Sequence, residues 1–317
     1  MKLYIYLIVF FVVLVGCNGP ASEATTAIAP THTATKTHTP TIPPTFTSSP
    51  SPTPTWVKQG PDAVVVPILL YHRIDISPVN SRYYVTPSKF EDQMKLLRDW
   101  EYSVIPIELL IEAIQEGARL PPRPVIITFD DGDISVYESA FPIMKKYGLT
   151  GVVYIVGNYM NTDGYMTADQ IKELAAAGWE VGSHSRSHRD LTKLQEPVQR
   201  QEIYHARRKL ESATGIQALT FAYPFGIMSD SVGKQVHTAG FSAAMGLGFT
   251  SDQGKSNLFW LQRRDVRGSY DIKKFAFFLP WQGGPAYMPT DTPTTTPTPS
   301  RTPNPTYTQY ATKTPTP

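Results

Sequence analysis

Val125-Ile126-Ile127-Thr128-Phe129-Asp130-Asp131-Gly132 is the stretch on which the reading of this chain turns. Five β-branched or aromatic residues run into two adjacent carboxylates and a glycine. A buried strand of a parallel sheet has this composition, and α/β proteins place their chemistry at the C-terminal ends of such strands. Two neighbouring acids there repel each other unless a cation lies between them or one holds a proton. One aspartate is therefore expected to bind a metal and the other to handle a proton. Position in the chain does not say which does what.

Working outward, Val64 to Tyr71 is an apolar run that ends at His72. Thr86-Pro87 opens a helix, with a capping residue followed by proline at the first helical position. After Gly132 a helix is expected from about Val136 to Tyr147, then a strand over Val152 to Val156. Thr167-Ala168-Asp169-Gln170 is a capping box. Trp179 to Gly182 leads into His184 and His188, and Leu219 to Ala222 leads into Tyr223-Pro224-Phe225-Gly226. Phe241-Ser242-Ala243-Ala244 reads as a further strand, the pattern from there to Asp265 is less regular, and a last helix is expected over Asp271 to Leu279. Strand, loop and helix alternate about seven times, which predicts a parallel sheet with crossover helices, open or closed. His72, Asp130/Asp131, His184/His188 and Tyr223/Phe225 all follow strands. A barrel gathers such loops on one face, whereas an open sheet spreads them along an edge, so convergence favours the barrel.

His184 and His188 are four residues apart, a spacing that lets two imidazoles reach one ion. Asp131 offers a carboxylate from another strand end. Two histidines and one aspartate leave positions open for water and substrate, as hydrolytic metal sites require. The formal charge of +2, without clustered Lys and Arg, argues against nucleic acid as a partner. No Gly-x-Gly-x-x-Gly or P-loop follows a strand. His205 sits within a polar helix and His237 near a helix end, and both are expected to be solvated.

The flanks are different in kind. Lys2 and the apolar run Leu3 to Val15 read as a secretion signal, short for a membrane span. Leu14-Val15-Gly16-Cys17 resembles a lipobox, and Cys17, the only cysteine, is then the lipidation site. Residues 18–60 and 286–317 are rich in Thr and Pro, too poor in apolar surface to offset chain entropy, and read as disordered spacers. The expected division is 1–17 signal, 18–60 linker, 61–285 catalytic domain and 286–317 tail. The expected location is the bacterial cell surface, lipid-anchored to the membrane.

Thr128-Phe129-Asp130-Asp131-Gly132 together with His184-Ser185-Arg186-Ser187-His188 resembles the first two motifs of the polysaccharide deacetylase family, the NodB-like carbohydrate esterases of family 4. Tyr223-Pro224-Phe225-Gly226 resembles the third. The resemblance implies a distorted (β/α)7 barrel and a divalent metal, usually zinc. It also implies removal of acetyl groups from acetylated sugars of an extracellular or cell-wall polysaccharide. It makes Asp131, His184 and His188 the metal ligands and Asp130 the general base. The Phe225 backbone N–H becomes the oxyanion donor, and Tyr223 a substrate-binding neighbour. Two departures stand out. Ala222 occupies the position where the family often has a base-orienting Arg, and Arg263 or Arg264 is the candidate replacement. The family's final histidine motif is absent, but Ile68-Leu69-Leu70-Tyr71-His72 resembles it moved to the front, which makes His72 the candidate general acid. The N-terminal Tyr-His resembles a surface-lipoprotein branch that includes poly-N-acetylglucosamine deacetylases. An O-acetyl esterase and an inactive carbohydrate-binding protein are the alternatives.

Overall fold

The computed structural model describes residues 55–79 and 81–283. The signal, Cys17 and nearly all of both Thr/Pro-rich segments lie outside the described residues. Seven parallel strands close into a barrel. They are β1 (Ile68–Tyr71), β2 (Pro124–Phe129), β3 (Val152–Ile155), β4 (Glu180–Ser183), β5 (Thr220–Ala222), β6 (Ala243–Leu247) and β7 (Leu261–Asp265). Each pairs with the next, and β7 closes on β1 through Arg263 opposite Ile68. The helices are α1 (Pro87–Asp99), α2 (Ile107–Gln115), α3 (Phe141–Lys146), α4 (Ala168–Ala176), α5 (Glu196–Thr214), α6 (Asp230–Thr238) and α7 (Ile272–Ala276).

All six residues of β2 are buried, because one face of the strand looks into the barrel and the other lies under helices. The period-2 alternation of strand side chains sorts the core accordingly. Ile68, Ile126, Val152, Tyr154, Met245 and Leu261 form the interior cluster, which continues into Leu110 and Ile114 of α2. Leu69, Tyr71, Ile127, Phe129, Val153 and Phe221 belong to the cluster shared with the surrounding helices. The N-terminus of α2 has no side-chain cap of its own, and Glu180 at the start of β4 accepts from the Ile107 backbone N–H at 2.8 Å instead.

Local signals behave as their chemistry requires. Thr86 accepts from Lys89 N–H ahead of Pro87, the Thr167/Gln170 capping box is formed, and Gly215 closes α5 with φ 73°. The helix expected over Val136 to Tyr147 begins as a π-helical turn, Val136–Ala140, before α3.

Two expectations need correction. The linker was expected to reach residue 60, but Val57–Gln59 is a strand, antiparallel to Ala118–Leu120. Arg119 also donates to the Trp56 carbonyl at 2.7 Å. Short polar segments of this kind gain order from a partner's free edge, which composition does not report. The irregular stretch before Asp265 contains β7 itself. Its sequence, Leu-Gln-Arg-Arg-Asp, hides the strand because an arginine occupies an inward position. Among the described residues no helix is long and apolar enough to cross a membrane.

Candidate active site

Strand parity decides which side chains enter the barrel mouth. Asp130 continues the inward phase of Ile126 and Thr128, and its backbone N–H donates to the Tyr71 carbonyl at 3.0 Å. The chain then turns at Asp131 and Gly132, both with positive φ (74° and 79°), which swings the second carboxylate over the first. His184 continues β4, with its Nδ1 2.8 Å from the Ala222 carbonyl. That contact makes Nδ1 the protonated nitrogen and leaves the Nε2 lone pair facing the aspartates. His188 returns from the same loop with φ 57°.

Asp131 Oδ1 lies 3.6 Å from His184 Nε2 and 3.4 Å from His188 Nε2. One ligand atom from each of the three residues falls within 4.8 Å of the others. Asp131 Oδ1 is buried and has no hydrogen-bond partner among the described residues. A buried carboxylate oxygen without a donor is costly, and two imidazole nitrogens at these separations fit a small divalent cation. The residues present therefore fit a divalent metal. Burial and the neighbouring His184 push the His188 imidazole below its ordinary pKa, which favours the neutral form that a metal ligand needs.

Asp130 is clamped. Arg263 Nη1 and Nη2 donate to its two oxygens at 2.6 and 2.7 Å, and both residues are buried. Burial opposes ionisation, but the Arg263 guanidinium, with help from His184, outweighs it and holds the carboxyl at about 2. Arg263 is itself supported by the Gly246 carbonyl and lies over the Tyr154 ring. Of the two arginines expected near the base, only Arg263 reaches it. Arg264 has the opposite strand parity and packs over Phe278 outside the barrel, which corrects its candidacy.

His72, at the end of β1, lines the same pocket as Asp130, Asp131, His184, His188 and Phe225. Burial lowers its pKa, and Asp130, Asp131 and Asp265 oppose that effect. Asp265 was not singled out from sequence. It ends β7 on the pocket wall, and its buried Oδ1 has no hydrogen-bond partner among the described residues. Only the closure of β7 on β1 brings it to His72. Tyr223 requires a correction in the other direction. It was expected at the substrate, but it follows the outward phase of Phe221 and is fully buried, with its hydroxyl donating to the Phe259 carbonyl at 3.0 Å. His205 and His237 are exposed.

Glu202 on α5 is a second unexpected contributor. Its two oxygens accept from the Ser187 backbone N–H at 2.8 Å and from the Ser187 hydroxyl at 2.7 Å. Ser187 lies between the two histidines, and the His188 backbone N–H donates to the Ser185 hydroxyl at 3.0 Å. A buried carboxylate thus braces the loop that presents both imidazoles.

The family model for polysaccharide deacetylases matches residues 117–244. A Bacillus subtilis protein, YxkH, provisionally named a polysaccharide deacetylase, is 28% identical over 202 residues, 64% of this chain and 70% of its own. The poly-beta-1,6-N-acetyl-D-glucosamine N-deacetylase of Staphylococcus aureus is 26% identical over 195 residues, 57% of this chain and 67% of its own. The crystal structure of BC0361, a polysaccharide deacetylase from Bacillus cereus, superposes with a TM-score of 0.60 at 25% identity, covering 68% of this chain and 69% of that one. The matched segment contains the aspartate pair, both histidines and Phe225. Over that segment the chain is similar to polysaccharide deacetylases.

Proposed function

We propose that this enzyme removes acetyl groups from N-acetylhexosamine units of a surface polysaccharide, with Asp131, His184 and His188 holding a divalent cation, zinc by preference. The observation that carries the reading is the convergence of these three ligand atoms around the unpartnered Asp131 Oδ1, beside an aspartate held ionised by Arg263. The Staphylococcus aureus relative supports poly-N-acetylglucosamine as the polymer.

A bound divalent cation supplies Lewis acidity toward water and toward the acetyl carbonyl. The chain's own residues do the rest. Asp130 accepts the proton of the attacking water, and Arg263 fixes the direction of its lone pairs. The Phe225 backbone N–H donates to the oxygen that gains charge as the acetyl carbon becomes tetrahedral. His72 gives a proton to the sugar nitrogen as the carbon–nitrogen bond breaks, releasing acetate and a free amine. The polymer is expected outside the membrane, with the enzyme anchored through Cys17.

The test is release of acetate and of free amine by the zinc-loaded full-length chain from poly-N-acetylglucosamine, chitooligosaccharides, peptidoglycan and acetylxylan. Equal amounts of the two products are expected from an N-acetylated polymer. Acetate without amine would mean an O-acetyl esterase. No acetate from any polymer, with metal bound, would mean a binding protein. Asp130→Asn is expected to lower kcat by at least about a hundredfold while metal stays bound, whereas Asp131→Ala should weaken metal binding.

A further inference from the structure

The chain leaves the described residues through a pinned corner. The Tyr102 hydroxyl donates to the Trp281 carbonyl at 2.8 Å and accepts from the Trp281 backbone N–H at 3.0 Å. Two residues on, Arg123 donates to the Gly283 carbonyl at 3.1 Å and to the Trp100 carbonyl at 2.7 Å. One guanidinium thus holds the last described residue against the C-cap of α1. Gly283 has φ 62°, with open space where a Cβ would point, so the chain can turn back there.

A groove opens at the same corner. It runs between the C-terminal half of α1 and the start of α7, with a volume of about 310 Å³, roughly ten water volumes. Leu96, Trp100 and Ile272 give it an apolar lining, and Asp92, Lys95 and Asp99 form a charged edge. Leu96 and Trp100 are only half-buried and Ile272 is 39% exposed, so the described residues leave this apolar surface to solvent.

The next residues of the chain suit the groove. Gly284-Pro285-Ala286-Tyr287-Met288-Pro289 has no charge and carries two large side chains, and the Thr/Pro repeats begin only after it. From Trp100 back to Asp92, α1 rises about 12 Å, which an extended chain covers in about four residues. Tyr287 stands four positions beyond Gly283. Tethering at Gly283 holds the segment at a local concentration of about millimolar, enough for a weak apolar contact to persist. A second copy is the poorer occupant. Six lining residues are far fewer than the roughly 20–30 per side of a stable interface.

We propose that residues 284–289 fold back along α1 and bury Tyr287 and Met288 in this groove, with the Tyr287 hydroxyl at its carboxylate edge. The contact fastens the root of the Thr/Pro-rich tail to the flank of the barrel. It does not depend on the reaction, so its tests read conformation rather than acetate release.

The experiment uses the full-length chain carrying Cys17→Ser, which removes the only native thiol. Ile272→Cys is labelled with a maleimide, and the rate is compared with that of the same protein carrying Tyr287→Ser and Met288→Ser. The native tail should slow labelling at least about fivefold, and the serine pair should abolish that protection. Phe249→Cys, 91% exposed in the loop after β6, should label at one rate with either tail. Without the added cysteines, Tyr287→Ser with Met288→Ser should lower Tm by about 2–4 °C, whereas Tyr307→Ser, within the repeats, should leave it unchanged. Equal labelling of Ile272→Cys with both tails would overturn the docking, as would a Tm that the serine pair does not move. Protection that grows with protein concentration would place a second copy in the groove and overturn it as well.

Discussion

At the scale of single residues, the site depends on charges that are held rather than merely placed. Asp130 and Arg263 are a buried bidentate pair, and removing one partner of such a pair strands the other. Arg263→Ala is expected to destabilise the fold by about 3–5 kcal/mol, seen as a lowered midpoint in urea unfolding. The pH dependence follows from the Asp130 carboxyl at about 2, below its ordinary 3.8. A depressed carboxyl contributes stability that is present above pH 4 and is lost as pH falls through the folded value. The native chain should therefore lose about 2 kcal/mol between pH 4 and pH 2. Arg263→Met should lose much less over that window in an acid titration of stability. Glu202 acts at one remove from the proposed metal ligands, through Ser187. Glu202→Gln leaves a neutral acceptor for Ser187 and should weaken zinc binding about tenfold in chelator competition. A purely structural brace would lower the melting temperature without moving zinc affinity. Ionisable residues of this kind were partly legible. The aspartates and histidines are adjacent or four apart in sequence and announce themselves, but Glu202 and Asp265 reach the site from separate elements.

At the scale of elements, alternation along strands governs the result. It sends Arg263 inward and Arg264 outward from consecutive positions, and it turns Tyr223 into the core while Phe225, beyond the strand, escapes to the surface. The third-motif turn is tightly constrained. Gly226 has φ 65°, and a Cβ there would lie 2.3 Å from Leu247 Cγ. Gly226→Ala is expected to cost about 2 kcal/mol or more, measurable by thermal unfolding, and to disturb the loop that carries Phe225. Strand β7 was the least legible element. A strand whose inward residue is a charged arginine lacks the apolar alternation by which strands are read, and only its place between β6 and β1 makes it one. Val57–Gln59 was missed for a similar reason: its order comes from Ala118–Leu120, sixty residues away in sequence.

At the scale of the molecule, both described ends lie near the N-terminal ends of the barrel strands. Val57–Gln59 pairs with the segment leading into β2, and the Gly283 carbonyl accepts from Arg123, the residue just before β2. The catalytic loops occupy the other ends of the strands. Immobilising the protein through a tag placed before residue 55 or after residue 283 should therefore leave kcat/KM on soluble oligomers within about twofold of the free enzyme, since neither attachment point adjoins the loops that carry the site. The sequence by itself determined the strand–helix alternation, the aspartate pair, the spaced histidines and the Thr/Pro composition of the flanks, because each is written in neighbouring residues. Tertiary structure alone decided that Arg263 rather than Arg264 holds Asp130, that Asp265 faces His72, that Glu202 braces the histidine loop and that Phe225 lies exposed. Those outcomes depend on closure of the barrel and on strand parity, which set distances between residues far apart in the chain.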